Sequence, residues 1–312
     1  AQSRAALLQS TRLVVQADVA QTYFALRSLD DESALVRRTV DAYRDTLDLS
    51  QRRYDAGDIA ELDLARVRSE LAATEAQAHA LARRRAALEH ALALLLGEPA
   101  GNFGITAAAD WQQALPLVPP GVPSTVLARR PDVAAAQRSF DAARLRVGIA
   151  RAAWFPDVSL TASAGLASAD LGDLFRWSTR AWGIGALLSL PLFDGGRREA
   201  GVQNANAVWD AAAADYREQV MQAFREVEDQ LSALRLLADE QAAQTRAVTA
   251  AQRAVELSNL RYRNGYVSQL ELLDAQRTEL ANQRLALQVQ AARLQATVGL
   301  IRALGGGWDV SG

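Results

Sequence analysis

WFPDVSLTASAGLASADLGDLFRWSTRAWGIGALLSLPLFD, residues 154–194, decides the fold because its periodicity differs from that of the flanking sequence. It contains two runs in which apolar residues alternate with small or polar residues, which is the period of a β-strand. The apolar positions are Val158, Leu160, Ala162, Ala164 and Leu166 in the first run and Trp182, Ile184, Ala186, Leu188, Leu190 and Leu192 in the second. The flanking sequence is rich in Ala, Leu, Gln and Arg. We therefore predict a β-hairpin inserted between helices.

The pattern of this hairpin allows two interpretations. Each run has about 10 residues, the length that a tilted strand needs to cross the hydrocarbon core of a bilayer. Aromatic residues cluster near the ends of the runs, as they do at the interfaces of membrane barrels. They are Trp154, Phe155, Phe175, Trp177, Trp182 and Phe193. A soluble hairpin with one buried face gives the same alternation, so periodicity alone leaves both interpretations open.

Composition excludes several classes of protein. The 312 residues include no Cys, so disulfides, thiolate metal sites and Cys nucleophiles are excluded. The formal net charge of -2 provides no basic field for nucleic acid. No run of 18 apolar residues is present, so no transmembrane helix is predicted. The two histidines, His79 and His90, are 11 residues apart on one predicted helix. This spacing corresponds to a separation of about 16 Å, which is too far for both to bind one metal ion.

Glycine and proline divide the remaining sequence into long amphipathic helices. The breaks fall at Gly57, at Gly97 with Pro99, at Gly265, and at Gly305 and its neighbours. Periodic segments of this length are typical of a coiled coil or the wall of a helical duct. We expect a helical hairpin at 1–97, a linker at 98–123, a helix leading to the strands at 124–155, the β-hairpin at 156–194, a second helical hairpin at 195–304 and a tail at 305–312.

An internal repeat relates the two helical hairpins. RRYDAGDIAELDLARVRSELA at 52–72 is similar to LRYRNGYVSQLELLDAQRTELA at 260–281. Five positions match at an offset of 208, namely Arg53, Tyr54, Gly57, Leu62 and Leu64 with Arg261, Tyr262, Gly265, Leu270 and Leu272. Gly97 and Gly305 match at the same offset. We predict two pseudo-equivalent hairpins, each with an RY-x-x-G turn at its tip. We also predict a further β-hairpin ahead of residue 1, in a longer protein to which this chain would belong.

Four segments together resemble the outer-membrane factor family, the TolC-like exit ducts of tripartite efflux pumps. They are RPDVAAAQRSFDAARLRVGIARAAWFPDVSLTASAG at 130–165, LSLPLFDGGRR at 188–198, RYRNGYVSQLELLDAQR at 261–277 and ALGGGW at 303–308. The order of the motifs is similar to that of the lipoprotein branch serving RND-type pumps. The resemblance covers nearly the whole chain, whereas the N-terminal third of the family fold has no counterpart in this sequence.

This resemblance implies a mainly α fold with a transmembrane β-hairpin. In the family, long α-helical hairpins of three protomers form a periplasmic tunnel under a 12-stranded outer-membrane β-barrel. It implies a homotrimer in the outer membrane, with most of the chain in the periplasm. The partners it implies are outer-membrane lipid, a periplasmic adaptor (membrane fusion) protein and an inner-membrane RND-type pump. The function would be passive exit of drugs or other small toxic compounds, without a cofactor.

The resemblance also assigns site residues. The periplasmic gate would comprise Tyr262, Leu270, Glu271, Asp274 and Arg277, with contacts between Asp274 and Arg277, within or between protomers, holding it shut. The turns that dock the adaptor would comprise Arg53, Tyr54, Gly57, Arg261, Tyr262 and Gly265. In the strands, Val158, Leu160, Ile184 and Leu188 would face lipid, while Ser159, Thr161, Ser163 and Ser189 would face a wet lumen.

A different class of protein stays open as an alternative. A coiled-coil scaffold or adaptor of the cell envelope would have the same long helices and a small soluble β-element. It would not need an apolar stripe with aromatic ends. No nucleophile–base pair, phosphate-binding loop or metal-ligand cluster is apparent in the sequence, so no enzyme is predicted.

Overall fold

The computed structural model describes residues 2–108, 129–169, 172, 175–190 and 192–306. The elements are α1 (Gln2–Asp55), α2 (Glu61–Leu96), α3 (Pro131–Ala152), β1 (Asp157–Leu166), β2 (Arg180–Ser189), α4 (Arg197–Arg263) and α5 (Gln269–Ala303). The predicted helices and strands are therefore present with ends shifted by a few residues. Most of the expected linker and the expected helix start at Ser124 lie outside the described residues.

Glycines end the long helices in the left-handed conformation. Gly57 has φ of 82° and Gly265 has φ of 75°, values that residues with a Cβ adopt only with strain. Each turn closes with an equivalent backbone hydrogen bond. Asp58 N donates to Arg53 O at 2.8 Å and Tyr266 N donates to Arg261 O at 2.9 Å. This 6→1 bond is typical of a Schellman motif, so the predicted repeat is also a repeat of backbone geometry.

The chain divides into two compact units. One consists of residues 1–5 with 132–220, and the other of 6–131 with 221–312. In the larger unit, α1, α2 and α5 meet around Tyr43, Val67 and Leu273, which are at most 1% exposed. In the smaller unit, α3 contacts the first part of α4 through the Phe140 and Tyr216 rings, whose centroids lie 6.3 Å apart.

The two strands form one antiparallel pair with an unambiguous register. Val158 pairs with Leu188, Leu160 with Ala186 and Ala162 with Ile184. Because residues directly opposite each other lie on the same face of a sheet, the two predicted apolar stripes share one face. Both strands are exposed along their whole length in the single chain.

The segment after α2 is attached to the helices by a buried carboxylate. Asp30, with a side chain 1% exposed, accepts hydrogen bonds from Arg85 Nε at 2.7 Å and from the Ala108 amide at 3.3 Å. Arg85 also donates to the Ile105 carbonyl at 2.6 Å. These bonds hold residues 105–108 against α1 and α2.

Among the described residues, no helix is both long enough and apolar enough to cross a membrane.

Candidate functional site

The two RY-x-x-G turns have the same backbone conformation but differ in side-chain burial. Tyr262 is 5% exposed, whereas its repeat equivalent Tyr54 is 38% exposed. The Arg53 guanidinium carbon lies 5.0 Å from the centroid of the Tyr262 ring, within the range of a cation–π interaction. Two residues assigned to adaptor docking, one from each turn, are therefore in contact within one chain.

Apolar side chains remain exposed where the second helix of each hairpin begins. Leu270 is 47% exposed and its equivalent Leu62 is 61% exposed. Beside Leu270, the Arg261 guanidinium lies 3.4 Å from the Glu271 carboxylate, and both side chains are at least half exposed. An exposed pair of this kind contributes little to stability. This part of the turn therefore presents a mixed apolar and charged surface.

Within the chain, the partner of Arg277 is Glu70 and not Asp274. The Arg277 guanidinium binds both carboxylate oxygens of Glu70, with Nε donating to Oε2 at 2.7 Å. Asp274 is exposed and forms no ion pair with the described residues. Asp274 instead acts on Arg277 only through its negative charge, which makes a small contribution to the raised pKa of the Arg277 guanidinium; the proposed latch between Asp274 and Arg277, within or between protomers, stays a prediction.

Electrostatics around this pair follow from its geometry. The hydrogen bonds from Arg277 to Glu70 raise the pKa of the Arg277 guanidinium. Next to them, burial raises the pKa of Tyr43 to about 12, and the negative charge of Glu70 adds to the effect. At neutral pH Arg277 therefore stays a cation and Tyr43 stays a neutral phenol.

Other contacts between the two hairpins were not predicted from the sequence. Gln269 donates to Ser50 Oγ at 2.8 Å in a buried bond, and Arg284 binds Glu32 at 2.7 Å. Arg277 and Arg284 are seven residues apart, which places both on one face of α5. That spacing was a usable signal for an interhelical contact face, although it does not identify the carboxylates opposite.

An open groove of about 1180 Å³ runs beside these contacts between α1, α4 and α5. Its lining mixes polar and apolar side chains, including Asp31, Thr245 and Glu279. Burial raises the pKa of Glu279, against the effect of a hydrogen bond from Gln283. Within the described part of the chain, no group of three or more acidic, His or Cys side chains could hold a metal ion.

Strand residues assigned to lipid lie together on one face of the hairpin. Val158 is directly opposite Leu188, and Leu160 and Ile184 are on the same face. All four are at least 61% exposed in the single chain. On the opposite face, a Cβ on Gly185 would lie 3.1 Å from Thr161 Oγ1, so the small residues there make room for polar side chains.

Comparisons with known proteins agree with this arrangement. The family model described as "Outer membrane efflux protein" matches residues 1–98 and 122–306. The solvent efflux pump outer membrane protein SrpC of Pseudomonas putida is 35% identical over 303 residues, covering 97% of this chain and 64% of that protein. Outer membrane protein OprJ of Pseudomonas aeruginosa is 34% identical over 312 residues, covering 96% and 63%.

A solved structure of an outer-membrane channel has the same fold as this chain. The outer-membrane channel OprN superposes with a TM-score of 0.90 and 30% identity, covering 98% of this chain and 69% of that chain. The chain belongs to the outer membrane efflux protein family. It spans slightly less than two thirds of the length of the curated relatives above. The predicted fold class, with long helices and a β-hairpin, and the predicted outer-membrane location are confirmed.

Proposed function

We propose that this chain forms part of a passive homotrimeric exit duct in the outer membrane. The duct would serve a tripartite efflux pump that exports drugs or other small toxic compounds, and its periplasmic end would be gated at the helix tips. The observation that carries the proposal is the row of contacts between the two helical hairpins. Glu70–Arg277, Ser50–Gln269 and Arg53–Tyr262 join the RY-x-x-G turns within one chain.

These contacts suit a gate because they connect parts that must separate for an aperture to widen. Moving the second hairpin away from the first breaks the bonds of Arg277 and Gln269 and exposes the Tyr262 ring. Helical hairpins that pack in two discrete arrangements are a common basis for switching. Leu270, Glu271 and Asp274 lie on exposed positions of the same helix, where three copies around an axis would form an apolar ring and acidic rings that favour cations.

Partners follow from what the surface leaves exposed. The turns with Arg53, Tyr54 and Gly57 and with Arg261, Tyr262 and Gly265 would dock the helical hairpin of a periplasmic adaptor protein. Tyr54 and Arg261 are exposed and would make the contact, while Tyr262 is buried beneath Arg53 and would support the second turn from within. Exposed Leu62, Leu270 and Tyr266 add apolar contact area there. The adaptor would connect the duct to an inner-membrane RND-type pump, which would supply the driving force. The coiled-coil scaffold is not favoured, because the relatives described above are efflux proteins.

Single-channel conductance in planar bilayers tests the proposed gate. The trimeric channel should conduct weakly, and Arg277→Ala should raise the conductance strongly. Glu70→Ala should raise it by the same amount, and the double variant should add nothing, because both changes remove one interaction. Arg253→Ala is the matched control, since Arg253 pairs with Glu256 on the exposed surface of α4.

Other outcomes separate the parts of the proposal. If Asp274→Ala alone raised the conductance, a contact between protomers would be the latch. Unchanged conductance in all variants of an open channel would refute the gate but not the duct. A folded trimer without any conductance would refute the duct and favour the scaffold.

A further inference from the structure

An arginine stacks on a tryptophan at each end of the β-hairpin. At the end nearest the helices, the Arg198 guanidinium carbon lies 4.9 Å from the Trp154 ring centroid. At the end where the strands are joined to each other, the Arg180 guanidinium carbon lies 3.4 Å from the Trp177 ring centroid. These distances indicate cation–π stacking at both ends.

Only one of these arginines has a carboxylate partner among the described residues. Arg198 Nε donates to Asp194 Oδ2 at 2.7 Å, and both side chains are less than one fifth exposed. Arg180 is exposed and forms no ion pair within the described part of the hairpin. Among the described residues, the charge at the helix end is therefore balanced by a carboxylate, while the charge of Arg180 is not.

The register places Arg180 at the limit of the apolar face. It pairs with Leu166, on the face that also carries Trp182 and Ile184, each 79% exposed. From Val158 to Leu166 this face is about 26 Å long at the usual rise per strand residue. An apolar band about 25 Å tall is typical of membrane-spanning strands, so Arg180 would lie at the level of the lipid headgroups.

We propose that Arg180, positioned by Trp177, binds the phosphate of a phosphorylated lipid in the leaflet at the loop end of the hairpin. This inference rests on the proposed function, because it needs the apolar face to contact lipid. A guanidinium presents a planar set of N–H donors that matches two oxygens of a phosphate. Arg180 is exposed while in contact with the Trp177 ring, so its side chain can reach a group in the surroundings. A lipid is favoured over a soluble anion because Arg180 shares its face with the apolar residues.

Native mass spectrometry of the intact channel in detergent tests the inference. The probes are diphosphorylated lipid A and the same lipid without its phosphates. The parent protein should bind the phosphorylated form more tightly, and Arg180→Ala should weaken that binding about tenfold, the effect of losing one good charge-assisted contact. Binding of the dephosphorylated lipid should not change. Arg180→Lys should fall between the two, because it keeps the charge but loses the planar fork.

Arg253→Ala, on the exposed surface of α4, is the matched control and should bind both lipids like the parent protein. Equal binding by the parent and Arg180→Ala would overturn the inference. So would full competition by millimolar inorganic phosphate, which would indicate a site for soluble anions. Asp170 and Asp173 lie outside the described residues. If replacing both by Asn were needed before any preference for phosphorylated lipid emerged, Arg180 would be neutralised internally and the inference would be wrong.

Flotation with phosphatidylcholine vesicles separates this inference from the proposed function. A parent protein that does not insert into the vesicles would refute both. A parent protein that inserts but does not distinguish the two lipids would refute only the role of Arg180.

Discussion

The turns at 52–58 and 260–266 have the same backbone and different surroundings. Each ends a long helix with a left-handed glycine and a 6→1 hydrogen bond. In the first turn Tyr54 is 38% exposed, whereas in the second Tyr262 is 5% exposed beneath Arg53. The repeat therefore determines the geometry of both turns, but only the second turn buries its tyrosine.

A similar difference separates the opposite ends of the hairpins. Gly97 and Gly305 both have left-handed φ values, 76° and 91°. A Cβ on Gly97 would meet nothing within 4 Å, whereas one on Gly305 would lie 3.0 Å from the carbonyl oxygen of Arg129. The second hairpin is thus the more tightly packed of the two at both of its ends.

Substitution of the two turn tyrosines should give the largest difference in stability between the hairpins. Tyr262→Ala should lower the free energy of unfolding by about 3–5 kcal/mol, because it removes a buried ring and its contact with Arg53. Tyr54→Ala should lower it by less than about 1 kcal/mol, since an exposed side chain contributes little. Thermal unfolding followed by far-UV circular dichroism measures both variants.

Tyr262→Phe is the matched control for the ring. The Tyr262 hydroxyl is buried and has no hydrogen-bond partner among the described residues. Its removal should be neutral or slightly stabilising, because a buried polar group without a partner is unfavourable. A loss as large as that of Tyr262→Ala would indicate an essential hydroxyl partner, and the packing explanation would then be wrong.

At the opposite ends, Gly305→Ala should destabilise the protein by about 1–3 kcal/mol more than Gly97→Ala. Both substitutions force a left-handed conformation on a residue with a Cβ, but only the one at Gly305 also crowds a backbone carbonyl. Differences in denaturation midpoint between the two variants provide the measurement. Equal losses would mean that the chain near Arg129 moves away without cost.

The features of the fold that depend on a local sequence pattern could be predicted from the sequence. Period-2 alternation identified both strands, and the match of Gly57 with Gly265 identified the equivalent turns. It did not identify Glu70 as the partner of Arg277, because that contact depends on which face of α2 packs against α5. The burial of Tyr262 rather than Tyr54 is equally invisible in the repeat, since both tyrosines follow an arginine and precede a glycine by three residues.

Substitution of the turn glycines should affect the two hairpins equally. Gly57→Ala and Gly265→Ala should each destabilise the protein by about 1 kcal/mol, because both have positive φ and open space around the position of a Cβ. The two losses should agree within about 0.5 kcal/mol in the same unfolding measurement. A much larger loss at Gly265 would show that the second turn also needs glycine for contacts beyond its backbone.

The smallest expected effect is a pH dependence of stability that arises from Glu279 in the second hairpin. Burial raises the pKa of Glu279 above the ordinary value of 4.5, with a contribution from the charge of Glu256. The folded protein therefore holds this proton more tightly than the unfolded chain, so stability should rise as pH falls from neutrality through the folded pKa towards 4.5. Glu279→Gln should be more stable than the parent protein at pH 7, by less than about 1 kcal/mol after solvent screening. The advantage should shrink as pH falls.

Gln283→Ala tests the hydrogen bond that opposes the effect of burial on the pKa of Glu279. Removing this bond should make the pH dependence of stability steeper. An unchanged slope would show that Gln283 has no influence on the Glu279 carboxylate.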